Sequence, residues 1–443
     1  MKLFRGHPHA HIEPVPYRLR IGVTGKRSGL PPLRLLRPMI LEAVNKRVRE
    51  LYPESQRGTV AKAFDHGHPP VAYSILSALA EGADRVVART LMREKKARLD
   101  AVLPMVEADY LQDFRSGWSK RQFRLLLGSS LRPAWRRDRL IGDDYPDERE
   151  AEDGRRASYE AAGQFIVDQC DVLIAVWDGT RKPSDGRGGT VEIVDYAVEL
   201  GRPVIRVWAG VCAIYAVGSG LDAAAIPRID RYNEKRVSVA RVEKSRHEFF
   251  EKPKKTGFVP PKAIFLATKE LLPHYARASA VAGKNQRYCL YTGVGMYCLA
   301  VCSIVFGFLG RRGLLLNEVT GALLEFASLL LILILKHRID GWRDLWMRHR
   351  FLAERLRCVV LATVGGVETR EIEVPPYLGA AHSTTEWMVR VFEEVRTRLP
   401  RLEASDVTLS AREYLSEVRN MSSTLRHPEA EFTEYCCPGS LVY

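Results

Sequence analysis

Three short stretches carry residue types able to grip a phosphate or act on a sugar: Thr24-Gly25-Lys26-Arg27, Glu81-Gly82-Ala83-Asp84, and Asp178-Gly179 with Gly188-Gly189-Thr190. Glycines let the backbone approach an anion, and the unpaired N–H groups of a helix start point at it. Lys26 and Arg27 add cationic donors, the guanidinium in a forked geometry. A short acidic side chain such as Asp178 suits ribose hydroxyls. Glu192 and Glu81 are the carboxylates available for attack on an N-glycosidic bond, a task that needs a pKa tuned by burial. None of these stretches is a Walker A loop or a complete G-x-G-x-x-G. ATP hydrolysis and ordinary dinucleotide redox chemistry are therefore not indicated.

The elements around these loops read as α/β. Apolar runs at 17–23, 71–79, 99–104, 171–177 and 203–208 predict strands. Helices are predicted through Ile40, Val44, Val48 and Leu51, and over 86–95, 155–169 and 191–200. Near-continuous apolar strands alternating with helices imply a parallel, Rossmann-like sheet covered on both faces. In such sheets ligands bind at the carboxyl ends of the strands, where all three loops emerge.

A different chemistry dominates further on. Residues 288–310 contain no charge, and a second apolar run occupies 315–336. About twenty such residues cross the hydrocarbon core as a helix. Between the runs stand Arg311 and Arg312. The outer flanks hold Arg277, Lys284 and Arg287 on one side and Lys336, Arg338 and Arg343 on the other. The excess of basic residues places both flanks in the cytoplasm of a two-helix transmembrane hairpin. The competing reading is a buried helical hairpin in a soluble core. Glu325 lies inside the second run, where a carboxylate costs a few kcal/mol or more unless it faces protein or water. It either lines a pore or subunit contact, or sits protonated within the bundle.

The remaining composition narrows the classes. A chain of 443 residues predicts two or three domains. The formal net charge of +14 suits anionic partners: nucleotides, nucleic acid or lipid headgroups. The eight cysteines form no C-x-x-C pair, which speaks against a zinc ribbon or a thioredoxin-like motif. Cys436 and Cys437 suit a frayed tail better than a lipid anchor. The His7, His9 and His11 run suits a leader better than a metal site, so no metal is expected. No apolar segment for cleaved secretion opens the chain.

Taken as a set, several motifs resemble the SLOG superfamily of Rossmann-like nucleotide-sensing domains, relatives of the LOG phosphoribohydrolases. They are Gly22 to Arg27, the stretch Ser77 to Asp84, Leu103-Pro104, Tyr110 with Asp113-Phe114, and Gly188 to Glu192. The hairpin and the following helix, with Trp342, Trp346, Arg350, Ala353, Glu354 and Arg355, resemble the SLATT domain. That is a two-transmembrane effector module found beside SLOG domains in bacterial conflict systems. The resemblance implies a leader over 1–16, a nucleotide-binding domain over 17–210 and a linker over 211–262. A SLATT-like domain over 263–430 and a tail over 431–443 follow. Residues 229–236 and 251–257 read as charged linker, and further helices are predicted over 263–286, 384–399 and 408–425. One departure matters. The hydrolase loop reads PGGxGTxxE, whereas here GRGGTVEI lacks the proline and brings Glu192 one residue closer to Thr190. On a helix that slip turns a carboxylate by about 100°. Hydrolysis is weakened and binding is not.

The function implied by the resemblance is a membrane-bound effector in antiviral defence. A nucleotide-derived signal would bind Thr24, Gly25, Lys26, Arg27, Glu81, Gly82, Asp84, Asp178, Gly179, Gly188, Gly189 and Thr190. The membrane module would then oligomerise or open and permeabilise the inner membrane. No resident cofactor is expected. The partners would be the signal, membrane lipid, other copies of the chain and a signal-producing nucleotidyltransferase or TIR-type enzyme. Two alternatives stay open: a membrane-anchored N-glycosidic hydrolase or transferase using Glu192 or Glu81, and a channel or transporter subunit with a regulatory domain.

Overall fold

The computed structural model describes residues 9–51, 71–130, 133–135, 148–180, 188–208, 211–216, 225–248, 262–312, 317–364 and 387–398. The chain divides into two compact units, Pro14–Tyr232 with Val374–Arg390, and Asn233–Glu373 with Met1–Glu13 and Val391–Tyr443. The first is α/β and the second is helical.

The α/β unit is built on a seven-stranded sheet in the order β4-β3-β2-β1-β5-β6-β7. Its strands are β1 (Tyr17–Gly25), β2 (Val71–Ser77), β3 (Arg98–Val102), β4 (Pro133–Trp135), β5 (Val172–Val176), β6 (Val204–Trp208) and β7 (Val211–Ala216). The first six run parallel, and β7 folds back antiparallel on β6. β5 is apolar and buried on both faces, and β1 buries Tyr17, Leu19, Ile21 and Val23 on one. Leu19, Ile21, Leu173, Ile174, Ala175 and Val176 are all fully buried. Helices α1 (Leu33–Leu51), α2 (Ala83–Lys95), α3 (Gly117–Ser129), α4 (Glu148–Gln169) and α5 (Thr190–Glu199) alternate with the strands. Five strands stand where the apolar runs predict them. The short β4, the returning β7 and α3 were not expected.

Strand order makes β1 the pivot. From β1 the chain progresses outward through β2, β3 and β4, then returns to lay β5 on the other side of β1. The carboxyl ends of β1 and β5 therefore flank the point where the winding reverses. Such a point opens a crevice, because the connections leave it in opposite directions.

At the opposite, amino end of the same two strands lies a buried charge. Asp171, just ahead of β5, has no solvent exposure. Arg390, near the start of helix Trp387–Thr397, makes a two-pronged pair with it at 2.9 and 2.5 Å. The Arg20 backbone N–H donates to the same carboxylate at 2.9 Å, and its guanidinium stands 3.4 Å away. Arg390 also stacks over the Tyr17 ring at 4.8 Å and donates to the Arg18 carbonyl at 3.2 Å. Burial alone would raise the Asp171 carboxyl, but the Arg390 and Arg20 guanidiniums outweigh it and hold the group well below the usual carboxylate range.

The helical unit contains two long helices, Lys262–Arg312 and Glu318–Val364. At 1.5 Å per residue they are about 77 and 70 Å long, more than twice the roughly 30 Å hydrocarbon core. Both contain a stretch long and apolar enough to cross a membrane, with only 11% of each such window buried. A core helix of a soluble protein would be mostly buried. Here Tyr291, Tyr297, Ile304, Val319 and Phe326 are 65–74% exposed. Burial reverses beyond the apolar stretches, where Leu271, Leu272, Ala276, Leu352, Leu356 and Val360 are buried.

The two helices touch through small residues. Gly310 and Gly321 approach so closely that a Cβ on Gly321 would lie 2.6 Å from the Gly310 Cα. Gly307 leaves space for Glu325, whose Oε2 would stand 2.6 Å from a Cβ there. Buried Ser303 and Ser328 continue the two stripes at helical spacing. Small residues of this kind let helix backbones pack in lipid, where no hydrophobic drive exists between apolar faces. Tyr288 and Trp342 hold the same antiparallel register, with ring centroids 5.4 Å apart. The predicted pre-membrane and post-membrane helices are thus continuous with the spans.

Residues 229–236, expected as charged linker, are mostly helical. Ala225–Glu234 is amphipathic and buries Ile226, Ile229 and Tyr232. The charges that suggested a linker face away from that apolar stripe. A second short helix, Val239–Arg246, follows. The helix expected over 384–399 is seen as Trp387–Thr397. The predicted helix over 408–425 and Cys436–Cys437 lie outside the described residues, as does His7.

Removing Arg390 leaves Asp171 buried against Arg20 alone. Arg390→Ala should cost the α/β unit about 3–5 kcal/mol, read from chemical or thermal unfolding. Arg390→Met with Asp171→Asn should recover most of that loss. The sign with pH follows from a depressed carboxyl. The pair's contribution is complete above about pH 5 and erodes as pH falls below the unfolded value near 3.9. The double variant should show a flatter acid limb.

Candidate functional site

The β1–β5 crevice gathers the first and third loops by backbone contact. β1 ends in Thr24-Gly25, and the Lys26 N–H donates to the Val176 carbonyl at the end of β5, 3.1 Å away. Gly25 is required here, since a Cβ would lie 2.5 Å from that of Ala83 and 2.6 Å from the Val176 carbonyl. The second loop closes from the other side. Ala83 N–H donates to the Lys26 carbonyl at 3.1 Å. Gly82 has φ +86°, and any Cβ there would collide with the Lys26 and Arg27 carbonyls. Lys26 is thereby clamped between α2 and β5.

Across the crevice the Lys26 ammonium pairs with Asp178. The same carboxylate accepts from the Thr180 hydroxyl at 2.7 Å and the Thr180 N–H at 3.0 Å. The Lys26 hydrogen bond, helped by Thr180, holds Asp178 well below the usual carboxylate range. Lys26 also lies 5.4 Å from the Trp208 ring centroid. An incoming anion would therefore compete with Asp178 for a cation that is already oriented.

Arg27 faces a second set of groups. Its guanidinium stacks 4.9 Å above the Tyr159 ring of α4. The Tyr159 hydroxyl donates to Asp113, which also receives Arg155 at 2.8 Å. Tyr110 braces this assembly, packed on Phe114, Phe123 and Tyr159 and bonded to the Ala78 carbonyl at 2.9 Å. Gly188, with φ +78°, lies against Tyr159 so closely that a Cβ would sit 2.7 Å from it. Arg27 and the Gly188 loop thus meet on opposite parts of one tyrosine.

The acidic candidates have separate occupations. Asp84 is buried, bonded by the Ala80 N–H and the Ser77 hydroxyl, and burial pushes its carboxyl up to about 6. It anchors the SALAEGAD turn from below, in which Leu79 takes φ +57°. Glu81 accepts from the Ser119 hydroxyl and from the Arg115 N–H at 3.3 Å, tying the second loop to the start of α3. Arg85 reinforces the same joint through the Leu79 carbonyl at 2.9 Å and the Ser119 hydroxyl at 2.7 Å. Glu192 turns back to accept the Gly188 N–H, just ahead of the start of its own helix. Gly189 and Thr190 open that helix.

Thr24, Gly25, Lys26, Arg27, Gly82, Asp178 and Gly179 therefore lie around one crevice, and Gly188 joins them through Tyr159. Asp84, Glu81 and Glu192 hold loops and helix starts. Sequence reasoning missed Tyr159, Arg206 and Trp208. Tyr159 has no local signal, being one of two aromatics on a mixed helix. The polar step in PVIRVW, where Arg206 interrupts a core strand, is the one sign that β6 leaves the core before it ends. Among the described residues no group of His, Cys, Asp and Glu is arranged to hold a metal ion. Compared with known proteins, the chain matches no family model and no curated sequence.

Gly82→Ala should destabilise the α/β unit by about 3 kcal/mol or more, because strain at φ +86° adds to a collision with backbone. Gly29 has φ +68° with nothing near its missing Cβ. Gly29→Ala should cost only about 1 kcal/mol. Paired thermal melts of the two variants check the difference.

Proposed function

We propose that this protein is a membrane-bound sensor of a nucleotide-derived signal, with the β1–β5 crevice as its ligand site. The observation that carries the reading is Lys26 facing Asp178 across the reversal point of a parallel sheet. It occurs in a chain that also has two exposed apolar helices. The cation is positioned for a phosphate, Asp178 and Thr180 suit ribose hydroxyls, and Arg27 on Tyr159 offers a second anionic contact. The SLOG-like motifs contribute Lys26 and Arg27 to this set. The SLATT-like half supplies the response: ligand binding drives the two-helix module to oligomerise or open and permeabilise the inner membrane. Both basic flanks lie in the cytoplasm, and the sensor domain lies with them. In this reading the signal comes from a nucleotidyltransferase or TIR-type enzyme, and the setting is antiviral defence.

The hydrolase alternative is the weaker one. Glu192 accepts the Gly188 N–H and Glu81 accepts the Ser119 hydroxyl, which gives each carboxylate a loop-holding contact. Glu325 faces Gly307 within the hairpin, which supports a role in packing one chain's two helices.

A ligand shifts such an equilibrium only by its differential affinity for the two states. The full-length protein in nanodiscs should bind a nucleotide probe, ADP-ribose or a cyclic oligonucleotide, and should release dye from vesicles when that probe is present. Lys26→Glu with Arg27→Glu should weaken binding at least a hundredfold and abolish dye release, while membrane insertion is unchanged. Unaltered affinity in this double variant would refute the crevice as the site.

A further inference from the structure

β6 changes character along its length. Val204 packs with Leu173, Ala175 and Trp177 in the core beneath α4 and α5. Two residues on, at the same face of the strand, stands Arg206, and two further on Trp208. A continued core would place apolar residues at 206, opposite Ala175, but the strand places a guanidinium there. That guanidinium reaches the carboxyl edge of the sheet. Its Nη1 occupies the space that a Cβ on Gly179 would fill, and Gly179 has φ +90°. Gly179 thus serves both the turn after β5 and the passage of Arg206.

Three properties of this corner point to a ligand. First, the Nε of Arg206 is buried with no hydrogen-bond partner among the described residues, and a buried donor left unpaired is costly. Second, Lys26 and Arg206 both flank the Asp178-Gly179 turn, where Asp178 supplies one negative charge against two positive ones. Third, the Trp208 ring carries the Lys26 ammonium over it. A phosphate that draws Lys26 from Asp178 also draws it off the indole, leaving a flat apolar face beside a cation. Planar bases stack on such faces.

Resting on the sensor reading above, we infer that Arg206 and Trp208 form a specificity subsite of the crevice. Arg206 shares a ligand phosphate with Lys26, and Trp208 stacks the attached base. The subsite selects nucleoside phosphates over sugar phosphates that lack a base.

The test uses full-length protein in detergent micelles, titrated by calorimetry with ADP-ribose, ATP and ribose 5-phosphate. Wild type should bind its better nucleotide at least tenfold tighter than ribose 5-phosphate. Trp208→Leu should erase that preference and leave ribose 5-phosphate unchanged, whereas Trp208→Phe, which keeps a ring, should stay within threefold of wild type. Arg206→Gln should weaken all phosphate probes at least tenfold, with Arg206→Lys intermediate. If Lys26→Ala abolishes nucleotide binding but Trp208→Leu or Arg206→Gln stays within twofold of wild type, the subsite is refuted and the sensor reading stands. If no probe binds, or binding ignores Lys26→Ala, both fail together.

Discussion

A carboxylate with no contact to water must be neutralised where it stands. Asp171 is that group, and its position just ahead of β5 dictates much else. Arg20 alone approaches it at 3.4 Å through its guanidinium, so the two-pronged pair must come from Arg390. Arg390 lies 219 residues further along the chain, beyond both long helices. The α/β unit is therefore discontinuous in sequence. The helical hairpin is inserted between the sheet and the residue that completes its charge balance.

The same two strands meet opposite requirements at their ends. At the amino ends of β1 and β5, Tyr17, Arg20 and Asp171 are sealed by Arg390. At their carboxyl ends, Lys26, Arg27 and Asp178 stand at the crevice. Buried pairs such as the first are costly to break but do not by themselves add much stability over an apolar core. The Lys26–Asp178 pair is partly exposed, so solvent reaches both of its charges.

The helical unit follows a different physics. In water a helix hides its apolar stripe, and 271–282 and 352–360 do so. In the uncharged stretch the large apolar side chains point outward and the small ones inward, with Gly307, Gly310 and Gly321 at the contact. This inversion is what a lipid solvent demands. It also accounts for Glu325, which faces glycine across the helix pair.

Much of this was legible in the amino-acid sequence, because it depends on local pattern. The apolar runs of β1, β2, β3, β5 and β6 dictate buried parallel strands, and the charge-free stretch from Tyr288 dictates a helix long and apolar enough to cross a membrane. Glycines at 25, 82, 179 and 188 announce tight turns beside those strands. What the sequence could not determine depends on residues meeting across long separations. The pairing of Asp171 with Arg390, the stacking of Arg27 on Tyr159, and the passage of Arg206 over Gly179 leave no periodic trace. Nor do the hydrogen bonds that Glu81 accepts from Ser119 and Glu192 from Gly188. A carboxylate's chemistry is set by its neighbours, and only the folded chain supplies them.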